Sequence, residues 1–204
     1  MKSKIVENPG LRTGSMSGYQ CMPRPELKEG PYSIIAVQES HIEPIRRWRN
    51  AQMHVLRQFA KISAAQQEAY FQTHIWPDKH SPEPKNLLLA ILENKDLIGY
   101  GGLVHIAWPH LRAEVSFLLK TELTTPPSRY SLHFASFLRL IKTLAFEDLR
   151  LERLYTETFA IREHHIAVLE SSGFRREGVS KSHVRIDGRP VDSYWHGCLS
   201  TYER

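Results

Sequence analysis

Four stretches of the chain place apolar residues every three or four positions, which is the period of an amphipathic helix. The first runs from about Ile42 to Val55, and a Ser-x-x-Gln capping box at Ser63 opens the second, which ends near Ile75. A shorter helix near the C-terminus stops at Gly173, because glycine readily adopts the left-handed conformation that ends helices. The remaining helix has the strongest periodicity, in residues that share one face: Phe134, Phe137, Leu138, Ile141, Leu144 and Ala145.

Short apolar or alternating runs between these helices are typical of β-strands. Seven strands are predicted, at residues 32–37, 87–93, 97–106, 112–119, 151–159, 175–186 and 191–199. Asp187-Gly188 predicts a type I′ hairpin turn between the last two strands. The order β-α-α-β-β-β-α-β-α-β-β shows no repeat and no linker, so we predict one α+β domain over residues 32–204. Residues 1–31 mix Gly, Pro and Ser without a period, which predicts an irregular N-terminal arm.

The composition is ordinary for a globular protein and argues against several other classes. Of the 204 residues, 41% are hydrophobic and 24% are charged, which suits a single substantial core. We expect no membrane span and no secretory signal, since no apolar run approaches the roughly 18 residues that a membrane helix needs. Cys21 and Cys198 are too few for a disulfide framework or a zinc site, so the expected compartment is the cytoplasm and no metal is expected.

The positive charge of the chain is modest and dispersed. The formal net charge is +5, and the tightest basic clusters lie at residues 46–49 and 175–176. A nucleic-acid-binding protein would concentrate Lys and Arg into a stripe with aromatic residues between them, so no nucleic-acid partner is expected. A basic pocket for a small anionic molecule, such as the pyrophosphate of CoA or a nucleotide diphosphate, fits the distribution better.

Residues 145–178 combine the end of a helix, a strand, a second helix and a strand that opens at Phe174. This run, and the order of elements over residues 32–199, resemble the GCN5-related N-acetyltransferase (GNAT) superfamily. The resemblance implies the GNAT fold, in which about four helices flank a mixed central sheet of about seven strands. Within the superfamily, Trp48-Arg49-Asn50 is similar to sugar-nucleotide N-acetyltransferases, and residues 113–119 are similar to ribosomal-protein N-terminal acetyltransferases.

The resemblance implies that the protein transfers an acetyl group from acetyl-CoA to an amine, with the cofactor held between two diverging strands. A base must take a proton from the amine before it attacks. Glu157 is the first candidate, because it matches a glutamate that N-terminal acetyltransferases use as a base, and the two-residue period of the strand places it on one face with Tyr155 and Phe159. Glu114, on the strand expected to face the cofactor, and His105, at the end of the preceding strand, are the alternatives.

For the cofactor, the resemblance implies backbone N–H contacts at Phe117, Leu118 and Leu119. It also implies a pyrophosphate site at a helix start, here formed by Ser128, Arg129, Tyr130 and Ser131. Most superfamily members have glycines in this loop, and residues 124–133 contain none, which predicts weaker or reshaped CoA binding. Arg162 stands where the family often has an asparagine on the cofactor, and Leu169 stands where it has a tyrosine acid. His165, one helical turn before Leu169, is the candidate replacement for that acid.

Two arginines, three aromatic residues and one asparagine are predicted to bind the acceptor: Trp48, Arg49, Asn50, Arg57, Phe59 and Tyr194. They suit a small-molecule amine, and among these a nucleotide-linked amino sugar. A protein or peptide N-terminus is the alternative acceptor. A non-catalytic acyl-CoA-binding module is the alternative class, suggested by the missing motif residues. Tyr194 and its neighbours on the last strand would complete the acceptor pocket or form a contact in a homodimer.

Overall fold

The computed structural model describes residues 18–203, which form a mixed α+β structure around one central sheet. Its eight strands are β1 (Glu26–Glu29), β2 (Tyr32–Ala36), β3 (Leu87–Glu93), β4 (Asp96–Ala107), β5 (Arg112–Leu119), β6 (Arg153–Phe159), β7 (Arg175–Ile186) and β8 (Arg189–Leu199). Their spatial order is β1-β2-β3-β4-β5-β6-β8-β7. Neighbouring strands are antiparallel except β5 and β6, which run parallel.

The helices lie on both faces of the sheet. They are α1 (Ile42–Ala51), α2 (Ala64–Tyr70), α3 (Trp76–Lys79), α4 (Pro127–Lys142) and α5 (Glu163–Ser171). A π-helical segment at Phe71–Ile75 joins α2 to α3, so these two correspond to the single second helix predicted from the sequence. A similar segment at Thr143–Asp148 extends α4. The four predicted helical bodies are therefore present.

Alternating side chains of the sheet build two hydrophobic cores. On one face, Phe117 of β5 packs against Phe134 and Phe137 of α4, and this core continues beneath α5. On the other face, Leu118 belongs to a second core with Trp48 of α1 and residues of the α2–α3 segment. Since successive strand residues point to opposite faces, β5 connects both cores while its backbone stays in the sheet. The sheet thereby separates the two cores.

The predicted irregular arm is only partly covered by the described residues, because residues 1–17 lie outside them. The prediction of irregular backbone is wrong for β1, which adds an eighth strand to the sheet. Tyr19, ahead of β1, is buried, and its hydroxyl accepts a hydrogen bond of 2.8 Å from the backbone N–H of Leu88. The four residues of β1 bury only Leu27, which is too little for a recognisable strand period.

Candidate active site between two diverging strands

The parallel strands β5 and β6 pair only at their first residues. Their register runs from Arg112 opposite Arg153 to Glu114 opposite Tyr155, and no pairing between them continues beyond that point. Residues 115–119 of β5 and 156–159 of β6 remain paired on their outer sides, to β4 and β8. On their inner sides, backbone N–H and C=O groups therefore face a gap and are available to a ligand that carries amide groups.

A cavity of about 450 Å³ occupies this gap, and residues from both sides of the sheet line it. From β5 and β6 it is lined by Glu114, Val115, Ser116, Phe117, Thr156, Glu157 and Phe159. Arg49, Leu56 and Arg57 reach it from the side of α1, and Phe134, Arg162, His165 and Leu169 reach it from the side of α4 and α5. The α1 side of the cavity thus has acidic residues, and the α4–α5 side has aromatic and cationic residues.

Two buried carboxylates lie on the α1 side of the cavity. Strand alternation places Glu114 and Glu157 on this face, and only 6% and 4% of their side chains are exposed. The guanidinium of Arg57 lies between them: Nη2 donates to Oε1 of Glu114, and Nη1 is 3.5 Å from Oε2 of Glu157. The Nδ1 of His105 donates to the other oxygen of Glu114 over 2.8 Å. Both oxygens of Glu114 are therefore occupied.

Glu157 has fewer hydrogen-bond partners than Glu114. Within residues 18–203, its Oε1 has no hydrogen-bond partner, although it is buried. The Nε2 of His183, from β7, lies 3.4 Å away but is not aligned for a hydrogen bond. The formal charges of the two glutamates and Arg57 sum to −1. This combination favours one further cationic N–H donor at Glu157.

On the opposite side of the cavity, Tyr130, Arg162 and His165 form a hydrogen-bonded cluster. The hydroxyl of Tyr130 lies 2.6 Å from Nδ1 of His165, and Arg162 Nη2 lies 3.2 Å from that hydroxyl and 3.3 Å from the same nitrogen. Arginine can only donate, so Nδ1 accepts and the proton of the neutral ring is on Nε2. The His165 ring also stacks on Phe134, with ring centroids 4.1 Å apart.

The environment keeps this cluster in defined protonation states. Burial, with the positive charge of Arg162 and the neighbouring His196 and His164, holds the pKa of His165 well below its usual range. Burial raises the pKa of the Tyr130 hydroxyl, against the opposing influence of Arg162. His165 is therefore a neutral hydrogen-bond donor near neutral pH, and it is poorly suited to the role of protonated acid that the sequence suggested.

The start of α4 differs from the expected phosphate loop. The helix begins at Pro127 with Pro126 before it, so Ser128 lies inside the first turn and does not cap the helix. The Nε2 of His164, at the start of α5, lies 2.8 Å from the Pro127 carbonyl and 2.7 Å from the Ser131 hydroxyl. These contacts tie the two helix starts together and bring Arg162 close to the first turn of α4.

The structure separates the predicted cofactor residues into two groups. Phe117, Arg162 and His165 line the cavity, and Tyr130 contacts two of them. The side chains of Leu118 and Leu119 point into opposite cores, which leaves only their backbone groups for a cofactor. Arg129 does not line the cavity. Burial raises the pKa of Tyr32 and lowers that of His133, and the charge of Arg129 is a lesser influence on both.

The predicted acceptor residues are mostly structural. Trp48 is buried in the second core, and the side chain of Asn50 bonds the backbone N–H and C=O of Ile62, each over 2.8 Å. Arg49 lines the cavity but donates to the Tyr100 hydroxyl and to the Gln58 side chain, both over 3.1 Å. Of the predicted acceptor residues near α1, Arg57 alone contacts the buried carboxylates described above.

The two remaining predicted acceptor residues lie away from the carboxylates. Tyr194 is opposite Thr158 in the β6–β8 pair, so its side chain is on the α5 face, where the Arg176 guanidinium lies 4.2 Å from its ring centre. This placement does not support a role in the acceptor pocket. Phe59 is 95% exposed and lines a neighbouring cavity.

Comparison with known proteins decides the family. A model of the acetyltransferase (GNAT) domain matches residues 34–195, which is more than half of the chain. The chain belongs to the GNAT acetyltransferase family. A comparison with curated protein sequences found no significant match. The superfamily predicted from the sequence is confirmed, as is the GNAT fold, with eight described strands where about seven were predicted.

Solved structures of GNAT acetyltransferases share this fold. Spermidine N-acetyltransferase from Vibrio cholerae in complex with CoA and spermine aligns with a TM-score of 0.73 at 19% identity, over 86% of this chain and 100% of that one. A dodecameric structure of the same enzyme in an intermediate state aligns with a TM-score of 0.72 at 17% identity, over 86% of this chain and 97% of that one. At these identities the likeness establishes the fold.

As a GNAT acetyltransferase, the protein takes its acetyl group from acetyl-CoA. The described residues suit such a cofactor: the gap offers unpaired backbone groups to its amide-bearing arm, and Arg162 offers a positive charge beside the start of α4. No group of three or more His, Cys, Asp or Glu residues within 18–203 is placed to hold a metal ion. Each helix in that range is too short or too polar to cross a bilayer.

Sequence reasoning missed His183, which reaches Glu157 from the β7–β8 hairpin. A bulge between Ser180 and Val184 changes the direction of β7, and Ser182 within it has a positive φ of 52°. The Asp192 carboxylate accepts from the Ser182 backbone N–H over 2.8 Å and from the Lys181 ammonium over 2.9 Å. No glycine marks this bulge, and residues 180–183 are all polar, so no local pattern predicted which of them reaches Glu157.

Burial of His165 should make the stability of the fold depend on pH. Its folded pKa lies well below 6.5, so the unfolded chain binds a proton that the folded protein does not as pH falls below that value. The free energy of unfolding is expected to be highest above about pH 6.5 and to fall at lower pH, by up to about 1.4 kcal/mol per pH unit. Urea unfolding at a series of pH values measures this slope.

The variant His165→Phe tests the assignment of this slope to one residue. Phenylalanine keeps the stacking on Phe134 but has no titratable group, so the slope should decrease by the share that His165 supplies. If the slope is unchanged, the pH dependence of stability comes from other buried histidines, such as His196, whose pKa burial also lowers.

Proposed function

We propose that this acetyltransferase transfers the acetyl group of acetyl-CoA to the primary amine of a small molecule that binds on the Glu157 side of the gap. The observation that carries the proposal is the buried Oε1 of Glu157, which lacks a hydrogen-bond partner among the described residues and lines the cavity where the strands diverge. A primary amine in water near neutral pH is an ammonium ion. Bound beside Glu157, this ion would supply an N–H donor to Oε1 and a positive charge that balances the carboxylate.

Glu157 is the proposed general base. An ammonium ion must lose one proton before its nitrogen can attack, and a carboxylate in hydrogen-bond contact with it can accept that proton. The proton moves from the nitrogen to Oε1 of Glu157, and the neutral amine keeps its lone pair for the acetyl carbon. The transfer converts a buried ammonium–carboxylate ion pair into a neutral amine and a neutral carboxylic acid, and a neutral pair costs less to bury than two charges.

Glu114 and His105 are proposed as positioning residues. The two oxygens of Glu114 already bond Arg57 and His105, so this carboxylate has little capacity left for a substrate proton. It anchors the guanidinium of Arg57 at the fork of β5 and β6, and Arg57 in turn offsets part of the negative charge around Glu157. His105 is held at this position by a backbone with a positive φ of 50° in the irregular end of β4.

On the other side of the gap, the chain's own groups fit the cofactor. The free inner edges of β5 and β6 would bond its amide-bearing arm, as strands bond to each other. Arg162 and His165 both line this part of the cavity. The guanidinium of Arg162 and the Nε2–H of His165 are the proposed donors to the cofactor. The cofactor supplies the activated acetyl group, and these residues orient it toward Glu157 across the sheet.

The nucleotide-linked amino sugar predicted from the sequence has lost much of its support. That prediction depended on Trp48 and Asn50, which the fold uses for packing and for a loop contact. A peptide N-terminus remains an alternative acceptor, and self-association of the chain stays a prediction.

Calorimetry and a thiol-release assay test the proposal together. Calorimetric titration with acetyl-CoA is expected to show binding at one site per chain, and a panel of primary amines should then release CoA thiol in proportion to N-acetyl product, identified by mass spectrometry. The panel includes small amines, an amino sugar nucleotide and a short peptide with a free N-terminus. Turnover of the peptide alone, or binding without turnover of any amine, would contradict a small-molecule acceptor.

A further inference from the structure

A second cavity adjoins the first on the acceptor side. It has a volume of about 420 Å³ and lies between residues 50–59, which end α1 and follow it, and residues 184–187 at the tip of the β7–β8 hairpin. Leu56, Arg57 and Phe159 line both cavities, so the two are neighbours that share walls. A molecule whose amine reaches Glu157 would extend into this second cavity if it is longer than a few atoms.

Apolar residues form just over half of the lining of the second cavity. They are Ala51, Met53, Leu56, Phe59, Phe159, Val184 and Ile186. Phe59 is 95% exposed, which is unusual for a large aromatic side chain, and it lies at this cavity rather than in either core. An apolar ligand in the cavity would cover the Phe59 ring and remove it from water, which is favourable.

The charges around the second cavity disfavour a second cation. Arg57 and Arg185 line it, whereas Asp187 is the one carboxylate among its lining residues within the described range. Near Glu157 the two glutamates and Arg57 leave one net negative charge, enough for a single ammonium. With Arg57 counted once, the formal charges of Glu114, Glu157 and Asp187 against Arg57 and Arg185 sum to −1, which one ammonium balances and a second would exceed.

We propose that the acceptor is an amine with a single positive charge on an apolar, preferably aromatic, body, and that the second cavity binds this body. The inference deepens the proposed function and rests on it. It separates this chain from the spermidine N-acetyltransferases that share its fold, whose acceptor is a polycation.

A comparison of kcat/KM among three amines tests the substrate class with the wild-type enzyme. The set is 2-phenylethylamine, ethylamine and spermidine, each assayed by thiol release at saturating acetyl-CoA. We expect kcat/KM for 2-phenylethylamine to exceed that for ethylamine by roughly tenfold or more, because the ring adds apolar contacts that ethylamine lacks. It should also exceed that for spermidine. Equal values for the first two amines, or preference for spermidine, would overturn the inference while leaving the proposed function intact.

Variants at the second cavity test whether the apolar body of the amine binds there. Ile186→Asp and Phe59→Ala should each lower the ratio of kcat/KM for 2-phenylethylamine to that for ethylamine by roughly tenfold. The matched control is Val179→Asp, on the same strand as Ile186 but outside both cavities, which should keep the wild-type ratio. A wild-type ratio in both cavity variants would refute the proposed binding site. Absence of turnover with every amine, despite acetyl-CoA binding, would instead refute the proposed function and the inference with it.

Discussion

Replacing Glu157 with glutamine is expected to lower kcat by roughly 10²–10⁴-fold, the range that a positioned general base contributes. Glutamine has nearly the same shape and can still accept a hydrogen bond, but it cannot take up the proton of an ammonium. The affinity for acetyl-CoA should stay near the wild-type value, because Glu157 lies on the acceptor face of β6 and the proposed cofactor residues Arg162 and His165 lie on the other side of the gap. Steady-state kinetics with a turned-over amine, together with calorimetry, measure both quantities.

Two controls accompany this variant. Glu122→Gln changes an exposed glutamate outside the cavity and should leave kcat unchanged. Because a higher pH increases the fraction of amine that is already neutral, Glu157→Gln should recover part of its activity as pH rises toward the pKa of the substrate. Wild-type turnover in Glu157→Gln would remove Glu157 from the role of base, and a comparable loss in Glu114→Gln alone would transfer the role to Glu114.

Replacing Gly102 with alanine is expected to destabilise the fold severely, by more than about 4 kcal/mol. Gly102 lies in β4 between β3 and β5 with a φ of +135°, a conformation that residues with a side chain rarely adopt. A Cβ at this position would lie 1.9 Å from the carbonyl oxygen of Leu87 and 3.0 Å from its carbonyl carbon. Both contacts are to backbone in the middle of the sheet, so neither atom can move without breaking strand pairing.

Gly178→Ala is the matched control for this prediction. Gly178 also lies in a strand, but no atom comes within 4 Å of a Cβ built there. The control should change the free energy of unfolding by less than about 1 kcal/mol. Urea denaturation followed by circular dichroism compares the two variants. Equal stability of Gly102→Ala and wild type would show that β4 does not approach β3 this closely. It would also contradict the position of β5 at the edge of the gap, because β5 pairs with β4.

Most of the fold could be predicted from the sequence because its elements have strong local signals. The Ser63 capping box forms as predicted, with the Ser63 hydroxyl and the Gln66 side chain each accepting a backbone N–H. Gly173 ends α5 with a φ of 91°, and Asp187 and Gly188 both have the positive φ that a type I′ turn requires. These signals act within a few residues, so periodicity and turn chemistry suffice to locate them.

The divergence of β5 and β6 and the acidic site beside it could be predicted only in part. Strand alternation placed Glu157 on one face, but its pairing with Arg57 joins residues 100 positions apart in sequence, which no local pattern reports. Trp48 was misassigned because an aromatic residue on a helix has the same sequence signal in a core as in a ligand pocket. The place of the exposed Phe59 in a cavity could not be predicted, because the opposite wall is the tip of a hairpin more than 120 positions later in the sequence.

A crystal structure of the protein grown with CoA tests the central claim most directly, since the claim is that the gap between β5 and β6 is the cofactor site. We expect density for the amide-bearing arm between residues 115–119 and 156–159, with its sulfur end toward Glu157 and its phosphates toward Arg162 and the start of α4. Density for CoA elsewhere on the protein, or β5 and β6 closed against each other with CoA bound outside the gap, would contradict the account.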